Sequence, residues 1–354
     1  MQQLSVAILG QGRSGRSIHA HCLTTIPTLR ERYRIALVCD PLADRLEDTR
    51  TDTGCVVSTD WRSVLTRRDL DLVINATPSD QHVPVSRELL DAGHNVLCEK
   101  PLARTAAEVD QLTAAAARSG KTLAIFQQSR FAAYFRKVRE VIDSGVLGRV
   151  VQIRIAFNGF GRRWDWQTLQ RMHAGNLLNT GPHPLDQALQ LFGDADPQVF
   201  CRMDSVNYAG DAESHIKLVL WGHGRPTIDL EVSNCSPYTG YTYQVSGSCG
   251  GLTGTMEHME WKWFDPAKVP LPALITGPMP GRAYCGEQLP WQTASWDASS
   301  AEKDIFASAG EGFYCDLHAA LSEGRPPTVT PAQVRRQVAV IEECHRQNPL
   351  PVRF

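Results

Sequence analysis

Three stretches of this 354-residue chain carry residue types whose spacing could do chemistry. The first is GQGRSG, residues 10–15, with glycines at 10, 12 and 15. After an apolar strand and at the start of a helix, Gly10 permits a tight turn. Gly12 lets a pyrophosphate approach the backbone, and Gly15 lets the helix pack close to the strand. Gln11, Arg13 and Ser14 complete a turn whose free N–H groups would face the phosphates. A glycine-rich turn with no ligand is the alternative. The second stretch is VLCEKPLA, residues 96–103, where Glu99, Lys100 and Pro101 follow an apolar run without a break. Pro101 limits Lys100 to extended geometry, so the lysine is aimed, and an X-Pro bond there can also be cis. The third is AGNLLNTGPHPLD, residues 174–186, with Asn179, His183 and Asp186. The H-P-L-D spacing puts His183 and Asp186 on one helix face. A lone histidine is, by itself, more often structural than chemical.

These stretches need elements to position them. LSVAIL (4–9), RIALVC (34–39), DLVINA (71–76), NVLC (95–98) and TLAIF (122–126) are short apolar runs bounded by turn residues, the pattern of strands buried on both faces. Helical stretches lie between them. TAAEVDQLTAAAARSG has Thr105 and Glu108 at capping-box spacing and Gly120 as its stop; HVPVSRELLDAG ends at Gly93; DWRSVLTRR has Asp60 as N-cap. Strands alternating with helices imply a doubly wound parallel sheet, a Rossmann domain over residues 1–126. Ligands bind beyond the carboxyl ends of such strands, where Asp40, NATPSDQH (75–82) and Glu99–Pro101 all fall. Ala76, Thr77, Pro78 and His82 therefore join the candidate cofactor residues, with Glu99 and Lys100. Asp40 lies about 25 residues beyond the last glycine, where an acid accepts from the ribose hydroxyls and repels a 2′-phosphate. That favours NAD over NADP, although Arg45 is near enough to accommodate the extra phosphate.

From residue 127 the pattern changes. RVVQIRIAF (149–157), SHIKLVLW (214–221), TIDLEVS (227–233), TYQVSG (242–247) and MEHMEWKWF (256–264) alternate as half-covered strands do. They predict an α+β domain over 127–354 with a large, mostly antiparallel open sheet. PAKVPLPALITGPMPG (266–281) reads as an irregular excursion. NGFGRRWDWQ (158–167) precedes the histidine stretch. Its Arg162, Arg163, Trp164 and Trp166 suit a sugar platform or a carboxylate, and equally a loop clamped by two tryptophans.

Composition narrows the classes. A formal net charge of −2 with no basic block gives no electrostatic case for nucleic acid or an anionic membrane. The 10 cysteines form no C-x-x-C pair, which argues against a zinc ribbon or a thioredoxin site; no metal is expected. Reduced, buried thiols in a cytoplasmic protein are the simpler reading. LSVAILG is too short for a signal core, and no run approaches the ~18 apolar residues of a membrane helix.

The strand–GQGRSG turn, Asp40, ATPSDQH, AGHNVLCEKPLA and QQSRFAAYFRKVREVIDSGVLGRV (127–150) together resemble the glucose–fructose oxidoreductase / inositol dehydrogenase family (Gfo/Idh/MocA), over nearly the whole chain. E-K-P after a fifth Rossmann strand is far more specific than the glycines. The resemblance implies that Lys100 lies near the nicotinamide and the substrate hydroxyl. It aligns the family motif G-G-x-x-x-D-x-G-x-H-x-x-D with Ala174-Gly175, Asn179, Gly181, His183 and Asp186, and carries the catalytic histidine to His183. It also implies a homodimer or homotetramer formed through the second sheet, and it matches residues 311–346 to two closing helices. Ala174 and Asn179 depart from the motif, and an amide at 179 carries no proton.

The chemistry so implied moves hydride between NAD(P) and a secondary alcohol of a sugar, inositol or related polyol. His183 would take the hydroxyl proton, since an imidazole with a pKa near ~6.5 suits a neutral-pH base. Lys100 would stabilise the developing oxyanion. Arg163, Trp164, Asn179, His183 and Asp186 would meet the substrate. Two other readings remain at this point. One is elimination, exchange or glycoside cleavage through transient oxidation with a tightly held cofactor. The other is a non-catalytic dinucleotide-binding sensor, for which Asn179 is the only support.

Overall fold

The computed structural model describes residues 3–279, 281–282 and 284–354. Strand β1 (Leu4–Leu9) is buried along its whole length, as its unbroken apolar run requires. It pairs in parallel with β2 (Tyr33–Cys39) on one side and β4 (Leu72–Asn75) on the other. With β3 (Val56–Ser58), β5 (Val96–Cys98) and β6 (Leu123–Ile125) they form a six-stranded sheet ordered β3-β2-β1-β4-β5-β6. The strand order reverses between β1 and β4, which opens a crevice beyond their carboxyl ends. Strand β3 escapes sequence reading because it is a three-residue edge strand with Val56 half exposed.

Helix α1 begins with wide π-type turns over Arg13–Ala20 and runs on through His21–Thr25. Helices α2 (Glu47–Thr53), α3 (His82–Asp91) and α4 (Ala106–Ser119) complete the Rossmann layers. Thr105 and Glu108 make the expected capping box on α4, and Gly120 ends it in the left-handed region at φ +64°. DWRSVLTRR makes no α-helix. Asp60 does cap it, accepting from the Arg62 N–H, but the cap serves a single 3₁₀ turn, Trp61–Val64. Only Trp61, Val64 and Leu65 are apolar there, too few for a stripe that would extend the turn.

The second sheet has eight strands ordered β14-β13-β12-β11-β7-β10-β9-β8. They are β7 (Val150–Asn158), β8 (Gln198–Asp204), β9 (His215–Trp221), β10 (Thr227–Ser233), β11 (Tyr243–Gly247), β12 (Gly250–Gly254), β13 (His258–Trp263) and β14 (Gln292–Asp297). All neighbours are antiparallel except β7 and β10. Ile153, Ile155, Leu218, Leu230 and Val245 line one core with α5 (Ala133–Asp143) and with α7 (Pro182–Phe192), which follows the one-turn helix α6 (Asn176–Asn179). The other face is polar and open, with Lys217 bridging Asp229 and Glu231. Strands β8, β12 and β14 go beyond the sequence reading: GGLTG and QTASWD lack the apolar alternation that marks a strand. Residues 266–291 hold no helix or strand among the described residues, as expected of the proline-rich stretch; its Pro280 lies outside them.

The last two helices, α8 (Ile305–Glu323) and α9 (Pro331–Gln347), return to the first sheet. Phe313, Tyr314 and Leu317 join the core of Val6, Ile8 and Phe126, while Val334 and Val338 join that of Ala7, Leu9 and Val96. Elements that follow the second sheet in sequence thus complete both faces of the Rossmann sheet.

Candidate active site

The glycine turn is built by contact. Gly10 sits at φ +89°, and a Cβ there would strike the Ala76 carbonyl oxygen; a Cβ on Gly15 would strike the Gly10 carbonyl. Side chains are therefore excluded where β1 hands over to α1. A Cβ on Gly12 would meet nothing nearer than Arg45 Nη1, at 4.0 Å. That leaves open space beside the first turn of α1, which a pyrophosphate fits. Gln11 is pinned under the turn, its amide accepting from Thr49 Oγ1 and donating to the Gly10 carbonyl. Arg13 is exposed and Ser14 half-buried on the first turn.

Asp40 is buried and doubly capped: its carboxylate accepts from Gln11 N at 2.7 Å and Leu42 N at 2.9 Å. Arg45 Nη1 stands 3.6 Å from the same carboxylate. Acid and guanidinium therefore share the corner at the end of β2, and this geometry separates NAD from NADP no further. The loop after β4 is tied down by Asn75, whose Oδ1 accepts from Thr77 N and Oγ1 at 3.3 and 2.6 Å. His82 joins this loop to the Glu99–Pro101 turn, with Nδ1 2.7 Å from the Pro101 carbonyl and Nε2 2.9 Å from that of Thr77. Burial lowers its pKa. Ala76 and Pro78 are the backbone frame of that loop.

The Lys100–Pro101 peptide is cis. Glu99 turns inward rather than toward a ligand. Its Oε1 lies 3.2 Å from His19 Nε2, and its Oε2 accepts from Lys100 N at 3.0 Å. Burial alone would raise the Glu99 carboxyl; the close approach of the His19 imidazole and the Lys100 charge instead hold it down to about 2. His19 Nδ1 is 2.6 Å from the Tyr314 hydroxyl, so helix α8 reaches under the site. The Lys100 ammonium donates to the main-chain carbonyl of Asn179 at 2.9 Å. The side-chain type at 179 thus has no part in holding the lysine. Burial lowers the Lys100 pKa, with Arg13 and Arg163 adding to the effect and Glu99 opposing it.

His183 stands in the first turn of α7, its Nδ1 3.2 Å from Ser129 Oγ. Burial and the Lys100 charge push its pKa down to about 3, so the imidazole is neutral near neutral pH and a weaker base than a free histidine. The structure thus brings Lys100, Asn179 and His183 together. It turns Asp186 away: both its oxygens accept from Arg130, and the two side chains are buried as an ion pair. Arg130 also donates to Gln333 and Thr328, so Asp186 anchors the turn that presents Ser129. Arg163 is engaged by Asp165 and Gln167. Trp164 is 82% exposed, which removes the reading of a loop clamped by two tryptophans.

Beside this group lies a cavity of about 700 Å³, lined by Asn158, Thr180, Asn234, Tyr241 and His258 among others. Thr180 follows Asn179 directly, so the cavity opens next to the lysine contact. Sequence reading missed Ser129, His19, Tyr314 and these wall residues. Only His19 left a signal, a polar residue four positions after Gly15 and so on the same face of α1. No group of three His, Cys, Asp or Glu that could hold a metal ion occurs among the described residues.

A parallel sheet in this order, with a glycine turn at its first helix and an acid at the end of β2, defines a dinucleotide-binding oxidoreductase with an appended second sheet. Residues 4–127 match the model of an oxidoreductase family with an NAD-binding Rossmann fold, and residues 135–253 match the GFO/IDH/MocA C-terminal domain. An uncharacterised oxidoreductase of Schizosaccharomyces pombe is 30% identical over 261 residues, 71% of this chain and 70% of that protein. The scyllo-inositol 2-dehydrogenase (NADP(+)) IolW of Bacillus subtilis is 26% identical over 69% of this chain and 66% of that one. Among solved structures, GenD2 from gentamicin A biosynthesis, in complex with NAD, is 25% identical with a TM-score of 0.78, covering 99% of this chain and 95% of that one. The chain belongs to the Gfo/Idh/MocA family and is an NAD(P)-dependent oxidoreductase.

Proposed function

We propose that the protein oxidises a secondary alcohol of a sugar, inositol or related polyol, or runs the reverse reduction, with NAD favoured over NADP. The observation that carries this is the convergence of the Lys100 ammonium and a neutral imidazole, His183, on the Asn179–Thr180 turn, whose Thr180 lines the 700 Å³ cavity. A bound nicotinamide dinucleotide would supply the two-electron acceptor. Gly10–Gly15, Ala76–Pro78 and the buried Asp40 would hold it, with Gln11, Thr77 and His82 keeping those loops in register.

His183 would accept the substrate hydroxyl proton at an imidazole nitrogen; its pKa of about 3 in the substrate-free site makes it a weak base there, so the transfer would draw on loss of hydride from the same carbon and on relief of the Lys100 charge by the developing oxyanion. Lys100 would donate a hydrogen bond to the same oxygen as its charge develops, in a half-buried site. Asn158, Thr180, Asn234 and Tyr241 offer the hydroxyl and amide groups a polyol needs. Arg163 and Trp164 would meet the far end of the substrate. Assembly as a homodimer or homotetramer through the open face of the second sheet belongs to the same reading, as does a cytoplasmic setting for ten free cysteines.

The test is a cofactor-reduction screen, with NAD and NADP, across polyols, aldoses, inositols and sugar acids. Turnover on at least one neutral polyol or sugar is expected. Binding of NAD with no turnover on any member would overturn the reading.

A further inference from the structure

Glu213 is a buried carboxylate that the mechanism above does not use. It lies between β8 and β9, 1% exposed, directly beneath the chain that carries Asn179. Its Oε1 accepts from Leu177 N at 2.9 Å, and its main-chain carbonyl accepts from Asn176 N at 2.9 Å. Asn176 Nδ2 donates to the next carbonyl, Ser214, at 3.1 Å. The first turn of α6 is thus bound to residues 213–214 at three points.

The fit extends to Gly175, which sits at φ +115°; a Cβ there would occupy the space taken by the Glu213 carboxylate. The turn carries this constraint directly to the site. Asn179 N donates to the Gly175 carbonyl at 2.8 Å, and the Asn179 carbonyl is the acceptor for Lys100 Nζ at 2.9 Å. Beyond it, the N–H groups of Thr180 and Gly181 return to the Asn176 carbonyl, and His183 N donates to that of Thr180 at 3.2 Å.

We propose that Glu213 is a positioning residue for the Lys100–Asn179–His183 group, and that its ionised form holds the turn in the productive place. A charge-assisted bond from the Leu177 N–H is about twice as strong as a neutral one. Protonating Glu213 therefore loosens the turn without breaking it. Burial raises the Glu213 carboxyl to about 7, while the Leu177 hydrogen bond and the Arg104 charge pull the other way. The groups facing it are Arg104, from the segment after β5, Tyr208, from the segment after β8, and Cys344 of α9. Burial lifts the tyrosine hydroxyl, and the interaction with Cys201 followed by burial lifts the thiol, above their ordinary ranges, so neither becomes anionic near neutrality. His183 titrates far lower and does not overlap.

The inference rests on the oxidoreductase reading of Lys100. Its test is the pH profile of kcat for wild type, Glu213→Gln and Glu213→Ala, with NAD affinity measured alongside. Wild-type turnover is expected to fall as pH drops through about 7. Glu213→Gln, which keeps a neutral acceptor for Leu177, should run at the low-pH wild-type rate at every pH, with that limb gone. Glu213→Ala should lose on the order of 10²-fold in kcat, the cost of a misplacement of about 1 Å, with NAD affinity unchanged. If the alanine variant does not fold, the glutamine variant decides. A limb near 7 that persists in Glu213→Gln, or wild-type kcat in Glu213→Ala, overturns the proposal. Lys100→Ala separates the two readings: full turnover there sinks the mechanism itself, whereas an inactive Lys100→Ala beside a wild-type-like Glu213→Ala sinks only this inference.

Discussion

Replacing Lys100 by methionine removes one charge while keeping most of the stem that fills the site. In the folded protein the ammonium is half-buried and donates to the Asn179 carbonyl at 2.9 Å. Two costs follow, and they fall on different measurements. Loss of a preorganised donor to the developing oxyanion should lower kcat by about 10²–10³, or about 2.7–4 kcal/mol. Because that interaction is made in the transition state, kcat and kcat/KM should fall together. The orphaned Asn179 carbonyl should cost about 1–3 kcal/mol of stability. A third signature comes from His183. Its pKa of about 3 is set first by burial and then by the Lys100 charge. Removing that charge removes a repulsion that disfavours the imidazolium, so the imidazole should titrate at higher pH in the variant. Steady-state absorbance of the reduced nicotinamide, urea unfolding and histidine-ring NMR read the three effects separately, and calorimetric NAD binding checks that the cofactor site is intact. Turnover within about tenfold of wild type, a barrier change of only about 1.4 kcal/mol, with NAD affinity intact, would refute the role given to Lys100. So would a His183 titration that stays where it was.

Asp186→Ala should destabilise the protein by about 3–5 kcal/mol in urea unfolding, because it leaves the buried Arg130 without its carboxylate; a loss below about 1 kcal/mol would contradict the buried pair. Glu99→Gln tests a pH dependence of definite sign. The Glu99 carboxyl is held at about 2 in the fold against about 4.3 when unfolded, so its stabilisation is complete above the unfolded value and is lost as pH falls from there through 2. The glutamine variant should be less stable near neutrality and should lose that part of the acid transition; unfolding curves that keep the wild-type pH slope would count against the His19–Glu99 pair.

Much of this protein can be read from its residues in order. The apolar runs of β1, β2 and β4, the Thr105–Glu108 capping box and the glycines of the first turn are local statements, each dictated by neighbours within a few positions. The aim of Lys100 is local too, since Pro101 sits beside it. What the order of residues did not carry is partnership across long separations. His19 and Tyr314 are 295 residues apart and meet only because α8 returns beneath the first sheet. Asp186 looked like a site residue from its helical spacing to His183, yet Arg130, 56 residues earlier, takes both its oxygens. The partner of Lys100 proved to be a main-chain carbonyl, which no side-chain pattern encodes. Glu213 gave no sign at all in its own neighbourhood, because its function lies in filling the space left by Gly175 on a distant turn. Sequence determined the central strands of the first sheet, the turns and charged groups beside them, and which end of the sheet those groups occupy. Tertiary structure alone decided which of those charges are paired off in the interior and which remain for chemistry, since burial and contact set a group's protonation and its free valence.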